Sequence, residues 1–435
     1  MLEKIFKLSE NGTTVKKELI AGFITFLTMA YILTVNPAIL GQTGMDKAAL
    51  FTATGLACMV GTMLMAFIAN IPIAQGPGMG LNSFFASTVV LSMGYSWQFA
   101  LTAVFIEGII FILLTIFNVR ELIVNKIPKV LKTAMPVGIG LFITFIGLQQ
   151  ADLVVSNEHT MIALGSLANK GVWVALLGLV VSGALLARNV PGAILVGILA
   201  STVFALILGV THVPEGSLVS LPPNIEPIFA KFEWTHIFTS DMLFVVFTFL
   251  FVNLFDTTGT LIGVASKIGL VDKDGNFPKI KRAFFADSIA TTFGAVAGTS
   301  TISPFVESAT GVASGGRTGL TSVSTALFFG LALFFAPIFL LVPIHATAPA
   351  LIIIGLFMLS SILEINFNDF TESIPAFLTI VMMPFAYSIA QGIIFGMLGF
   401  IFIKVFAGRA KEVSTAVFII GGLFLLKIIT DYCFI

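Results

Sequence analysis

Gly298 to Arg317 reads GTSTISPFVESATGVASGGR, and the fold turns on how this stretch is read. It lies between two strongly apolar segments, yet it is rich in Gly, Ser, Thr and Ala, with one proline, Pro304, and one carboxylate, Glu307. A membrane-spanning helix needs about 20 predominantly apolar residues, and this piece is too polar and too broken to face lipid. Irregular backbone at membrane depth persists only where protein or a water-filled cavity satisfies its polar groups. An ionisable residue in such a place points to function. The plain alternative is a cytoplasmic loop whose acid sits in water, paired with Arg317. A second broken stretch in the other half of the chain argues against it.

The surrounding chain is of the same kind. It has 435 residues, 57% of them hydrophobic and 10% charged, with a mean hydropathy of +1.06. Soluble domains carry roughly 25% charged residues, so this is an all-α polytopic membrane protein. The net charge is zero and no basic block is present, which excludes a nucleic-acid partner. Cys58 and Cys433 lie far apart in apolar segments, and His159, His212, His236 and His345 are not at metal-ligand spacing. No disulfide framework, metal or cofactor is expected. The N-terminus, MLEKIFKLSENGTTVKKE, lacks a signal-peptide pattern, and no P-loop appears, so an ATP motor is absent from this sequence.

Apolar runs fall at 17–40, 48–70, 97–118, 133–149, 171–188 and 190–210, with a broken piece, QGPGMGLNSFFASTVVLS, at 75–92. The second half repeats this order at 242–266, 283–297, a broken piece at 300–316, then 318–342, 345–363, 373–387 and 388–406. A last run occupies 413–431 and carries Lys427 and Asp431. The lysines Lys4, Lys7, Lys16 and Lys17 place the N-terminus in the cytoplasm by the positive-inside rule. Counting spans then puts 119–132, with Arg120, Glu121, Lys126, Lys129 and Lys132, and the loop 267–282 inside. It puts 211–240 outside. The acidic link Glu364, Asp369 and Glu372 falls inside too, but acids weigh little in this rule.

The two halves align directly. ANIPIAQGPGMGLN (69–82) sets against AGTSTISPFVESAT (297–310) at an offset of 228. PVGIGLF (136–142) sets against IIIGLF (352–357) at 215, and PGAILVGIL (191–199) against AQGIIFGML (390–398) at 199. The falling offset fits shorter loops in the second half, which has no counterpart to 149–170. Seven spans per half is an odd number, so the halves are inverted relative to each other. Inverted repeats with paired broken helices mark a secondary transporter that binds substrate near the midplane.

Three stretches carry the chemistry. In GPGMGLNSFF (76–85), glycines such as Gly78 and Gly80 allow close backbone approach, and Met79 and Asn82 follow. In FVNLFDTTGTLIGVAS (251–266), Asp256 is the only charge between Asp241 and Lys267. It therefore sits near mid-span, at a cost of about 2.5–3.5 kcal/mol on insertion scales. Thr257, Thr258 and Thr260 supply hydroxyls beside it. The third stretch brings Val306, Glu307 and Ser308. Half-helices meeting end to end would aim free N–H groups into one cavity, while Asp256 and Glu307 would accept from ring N–H and NH₂ donors. Candidate substrate-binding residues are Asp256, Glu307, Asn82, Gly80, Met79, Val306, Ser308 and Thr260. A buried acid is cheaper neutral than ionised, so Asp256 is the first candidate for a coupled proton and Glu307 its rival. Glu107 reads as a structural acid, either paired across a helix interface or sitting protonated. Asn36, in VNP, reads as a side chain for the carbonyl that Pro37 leaves unpaired.

TMAYILTVNPAIL (28–40), GPGMGLNSFFA (76–86), LFDTTGTLIGVA (254–265) and GTSTISPFVESATGVASGGRTGL (298–320) together resemble the AzgA-like purine permeases, relatives of the uracil and xanthine permeases. The resemblance covers essentially the whole chain. It implies a uracil-permease-like 7+7 inverted-repeat fold of about 14 transmembrane spans, with core and gate domains. The core would comprise 1–118 and 241–342, and the gate 119–210 and 343–435, with 211–240 an extracellular linker. It implies proton-coupled import of hypoxanthine, guanine or adenine, with Asp256 and Glu307 at the family's acidic positions. Uracil permeases show E-H-x-G-H in span eight, where this chain has Asp256, Thr257, Thr258, Gly259 and Thr260. The histidine position is thus Thr260, which argues against uracil or xanthine. A same-fold transporter of those bases or of a small anion is the alternative, and two acids in the site count against an anion. No enzyme motif is present. The expected partners are the nucleobase, protons and lipid in a cell membrane, and the assemblies left open include a homodimer.

Overall fold

The computed structural model describes residues 2–117, 127–213, 217–267, 269–270 and 277–433. Arg120, Glu121 and Lys126, part of the loop 267–282, and the side chains of Lys427, Asp431 and Cys433 lie outside the described residues. The chain forms α1 (Val15–Met29), α2 (Ile32–Leu40), α3 (Lys47–Leu64), β1 (Gln75–Pro77), α4 (Met79–Ser83), α5 (Trp97–Ile116) and α6 (Lys129–Gln150). It continues with β2 (Val154–Asn157), β3 (Met161–Leu164), α7 (Lys170–Ala187) and α8 (Ala193–Ile207). The second half gives α9 (Ser240–Lys267), α10 (Ile280–Ala297), β4 (Ile302–Pro304), α11 (Ser308–Ala313) and α12 (Gly319–Ala332). It ends with α13 (Ile344–Leu359), α14 (Phe370–Phe385), α15 (Ile389–Phe406) and α16 (Thr415–Cys433). Among the described residues, nine helices are long and apolar enough to cross a membrane. Shorter apolar helices lie at Met79–Ser92, Ala193–Ile207, Phe370–Phe385 and Thr415–Leu425.

Polar residues punctuate the apolar runs. Asp46 accepts from Ala49 N at 2.7 Å to start α3, and Ser96 accepts from Phe99 N at 3.0 Å to start α5. Asn169 and Asp369 do the same for α7 and α14. Each such cap contributes about 1 kcal/mol and satisfies an otherwise orphaned donor.

Two compact units result, Met1–Phe117 with Gly147–Ala350, and Asn118–Ile146 with Leu351–Ile435. In the first, α1 lies against α12, α3 against α10 and α12, and α5 against α10. Small residues permit this approach, as in other membrane bundles. A Cβ on Gly108 of α5 would come within 2.9 Å of Thr292 N on α10. The link between halves is strapped to this unit, since Thr52 Oγ1 donates to Pro223 O at 2.8 Å and Ala230 N to Val296 O at 2.8 Å. The region 149–170, without a counterpart in the second half, is a β2–β3 hairpin pairing Val154 with Leu164. In the second unit α14 lies against α15, which also meets α16. At its edge Arg409 Nη1 bonds Asp369 Oδ2 at 2.7 Å, and buried Lys404 bonds Glu412 at 2.7 Å.

The two broken stretches meet through extended backbone just ahead of their helices. They run side by side as antiparallel strands, β1 with β4, in the register Gln75 with Pro304, Gly76 with Ser303 and Pro77 with Ile302. Gly78 N donates to Thr301 O at 3.0 Å and Phe305 N to Ala74 O at 3.0 Å, extending the pairing at both ends. Backbone groups that no helix satisfies at this depth thus satisfy each other, as a medium without water requires. The middle residues, Gly76 and Ser303, are 227 positions apart, against the repeat offset of 228.

Candidate functional site

Each strand of the crossing leads into a helix. Gly78 precedes α4, which widens to i→i+5 winding over Phe84–Ser92. Glu307 precedes α11. Antiparallel strands send these two helices away in opposite directions. α9 runs beside β4, α4 and α11, which carries Asp256 to the crossing. There the Ser303 hydroxyl lies on the side of the Asp256 carboxylate. Glu307 is close enough to Asp256 for their charges to interact. Its Oε1 accepts from the Tyr31 hydroxyl at 2.6 Å. Arg317 is occupied elsewhere, with Nη1 donating to Val312 O at 2.6 Å and Gly316 O at 2.7 Å. The reading of Glu307 as a loop acid paired with Arg317 therefore fails.

The other expected site residues are distributed around this pair. Met79 is buried, Gly80 half-buried and Val306 half-exposed. Thr260 is buried one turn beyond Asp256 on α9. The Ser308 hydroxyl accepts from Ala74 N at 3.0 Å and ties the two broken stretches together. Asn82 is fully buried, and its Oδ1 accepts from the Ser300 hydroxyl. Its Nδ2 has no hydrogen-bond partner among the described residues. Asn36 does not serve the carbonyl freed by Pro37. Its Nδ2 donates to Thr54 Oγ1 at 2.6 Å and Thr299 Oγ1 at 3.0 Å, joining α2 to α3 and to the start of the second broken stretch.

Behind the acids runs a fully buried polar chain. Glu107 accepts from Asn253 Nδ2 at 2.9 Å and from Thr301 Oγ1 at 2.6 Å. Thr257 Oγ1 donates to Asn253 Oδ1 at 2.9 Å and also lies 3.3 Å from Asp287 Oδ2. Asp287 Oδ1 accepts from Gln75 Nε2 at 3.3 Å. Glu107 therefore does bond across a helix interface, from α5 to α9, and the same chain holds the crossing from behind. Carboxylates can accept N–H donors, and the backbone at the crossing is held by its own hydrogen bonds.

Residues 16–395 match the sequence profile of the Permease family, Xan_ur_permease. The chain belongs to this family. It is a membrane transporter and not an enzyme. It is 44% identical over 429 residues to adenine permease AdeP of Escherichia coli (strain K12), covering 99% of this chain and 96% of that one. It is 43% identical over 440 residues to guanine/hypoxanthine permease PbuG of Bacillus subtilis (strain 168), covering 98% and 99%. The fold resembles the transmembrane domain of a cyanobacterium bicarbonate transporter, BicA, with a TM-score of 0.64 over 86% of this chain and 97% of that one. At 14% identity that likeness speaks for the inverted-repeat fold alone.

Several buried polar residues of this permease escape a linear reading. Asp287 is the only acid in α10, and that isolation was a usable signal. Tyr31 gives no such signal, because its partner lies 276 positions away. Ser303 is one hydroxyl among many in its stretch. Glu18 looks like an interfacial acid, yet it is fully buried and accepts from Arg317 N at 2.8 Å, Thr318 Oγ1 at 2.8 Å and Thr321 Oγ1 at 2.7 Å.

Proposed function

We propose that this permease imports purine nucleobases, adenine, guanine or hypoxanthine, by proton symport. The observation that carries the reading is the pair of carboxylates, Asp256 and Glu307, brought to one crossing of irregular backbone. A purine presents ring N–H and amino donors, which such acceptors recognise. An anion would be repelled by the same pair. The names of the full-length relatives, adenine permease and guanine/hypoxanthine permease, support the same substrate class.

In this reading Asp256 takes the coupled proton, and Glu307, Gly80, Met79, Asn82, Val306, Ser308 and Thr260 surround the base. The neutral acid and bound purine cross together as a core domain shifts against a gate in an elevator-like movement. The core is assigned to 1–118 and 241–342 and the gate to 119–210 and 343–435. The N-terminal lysines orient the chain with its N-terminus in the cytoplasm of a cell membrane. Uptake of labelled adenine, guanine, hypoxanthine, uracil and sulfate into vesicles under an imposed proton gradient tests all of this at once. Accumulation of a purine that collapses with the gradient is expected. Uptake of sulfate or uracil instead, or drive by sodium, overturns it.

A further inference from the structure

Tyr31 stands at the junction of α1 and α2, and it is 1% exposed. Its carbonyl accepts from Thr34 Oγ1 at 2.8 Å and Val35 N at 3.0 Å, so its position is set by its own turn. The ring lies near Cys58 of α3. Cys58 in turn lies against the crossing, where a Cβ on Gly76 would stand 3.0 Å from its sulfur. The Tyr31 hydroxyl points at one oxygen of Glu307, at 2.6 Å. The titratable groups facing Glu307 are Tyr31 from the α1–α2 junction and Asp256 from α9.

The geometry points to Tyr31 as a specificity-determining residue that presents Glu307 to the base as a one-oxygen acceptor. This inference rests on the purine reading above. A carboxylate oxygen already holding a short phenol bond is the weaker acceptor of the pair, and the bond fixes the plane of the group. The carboxylate also takes a bond from its own backbone N–H, and its remaining acceptor capacity is left for the ligand. Guanine carries a ring N–H and an adjacent amino group, two parallel donors that match both oxygens of a free carboxylate. Hypoxanthine has the ring N–H without the amino group. Tyr31 thus withholds the second contact on which a preference for guanine would rest. Its phenol keeps the two bases close in affinity.

The test is the ratio of inhibition constants for guanine and hypoxanthine against labelled hypoxanthine uptake. Tyr31→Phe keeps the ring and removes the hydroxyl, and the ratio is expected to move about tenfold in favour of guanine, the size of one charge-assisted bond. Tyr31 replaced by 3-fluorotyrosine, a stronger donor of nearly the same shape, is expected to move it the other way and guards against a misfolded phenylalanine variant. A ratio unchanged within twofold in either transport-competent variant overturns the assignment, because a merely structural tyrosine would change expression and not the ratio. A wild type that accumulates neither base sinks the purine reading, and the selector with it.

Discussion

A methyl group on Gly78 would stand 2.8 Å from Ser303 Oγ, the hydroxyl on the side of the Asp256 carboxylate. The backbone at Gly78 has φ −68°, so alanine is tolerated there conformationally, and the clash is with the side chain alone. Gly78→Ala should push Ser303 off Asp256 and raise the KM for substrate several-fold while surface expression stays normal. An unchanged KM in the expressed variant would show that the close approach of the two broken stretches does not set the acid.

Glu307→Gln keeps the volume and an acceptor for Tyr31 but removes the charge. A hydrogen bond to a charged group contributes about 1.5–3 kcal/mol, so substrate affinity should fall roughly tenfold or more. Equilibrium binding to the purified variant measures this. Wild-type affinity would remove Glu307 from the ligand shell.

Asp256→Asn tests coupling separately from binding. The variant should fail to accumulate substrate against a gradient yet still exchange labelled for unlabelled purine across vesicles. Accumulation by Asp256→Asn under a proton gradient would transfer the coupling role to Glu307.

Glu18 closes the start of α12 by accepting from the backbone of Arg317 and Thr321 and the hydroxyls of Thr318 and Thr321. Glu18→Ala strands these buried donors, each at a cost of about 1–3 kcal/mol. Thermal stability in detergent should drop clearly, while the affinity of the protein that remains folded should not. A variant as stable as wild type would mean that water replaces the carboxylate.

Asp369 is held well below the usual carboxylate range by the Thr371 hydroxyl and the Arg409 guanidinium. Because the folded value is depressed, its contribution is complete above the unfolded value of about 3.9 and is lost as pH falls toward the folded one. The stability gap between wild type and Asp369→Asn should hold constant from about pH 7 to pH 5 and narrow only below about pH 4. A gap that closes near neutrality would assign the effect to another group.

Much of the architecture was legible along the chain. The apolar runs, the break points at 75–92 and 300–316 and the alignment of the halves follow from local composition, and in a bilayer composition leaves few alternatives to a helix. Glu307 and Asp256 were legible for the same reason, since an isolated charge in an apolar run is expensive and visible. What the expectation of end-to-end half-helices missed is that short irregular segments at depth must pair their own backbone. The pairing of Gln75 with Pro304 does this, and nothing local distinguishes it from two converging helix ends.

The sequence alone thus determined the class of protein, the places where helices must break and the acids that stand isolated in apolar runs, because each rests on the balance of polar and apolar residues within about 20 positions. Only the tertiary structure decided which groups meet those acids: Tyr31 on Glu307, Ser303 on Asp256, and Asn253 and Thr301 on Glu107. Most of these contacts join residues more than a hundred positions apart. They are selected by how helices lie against one another once lipid has forced every buried polar group to find a partner within the protein.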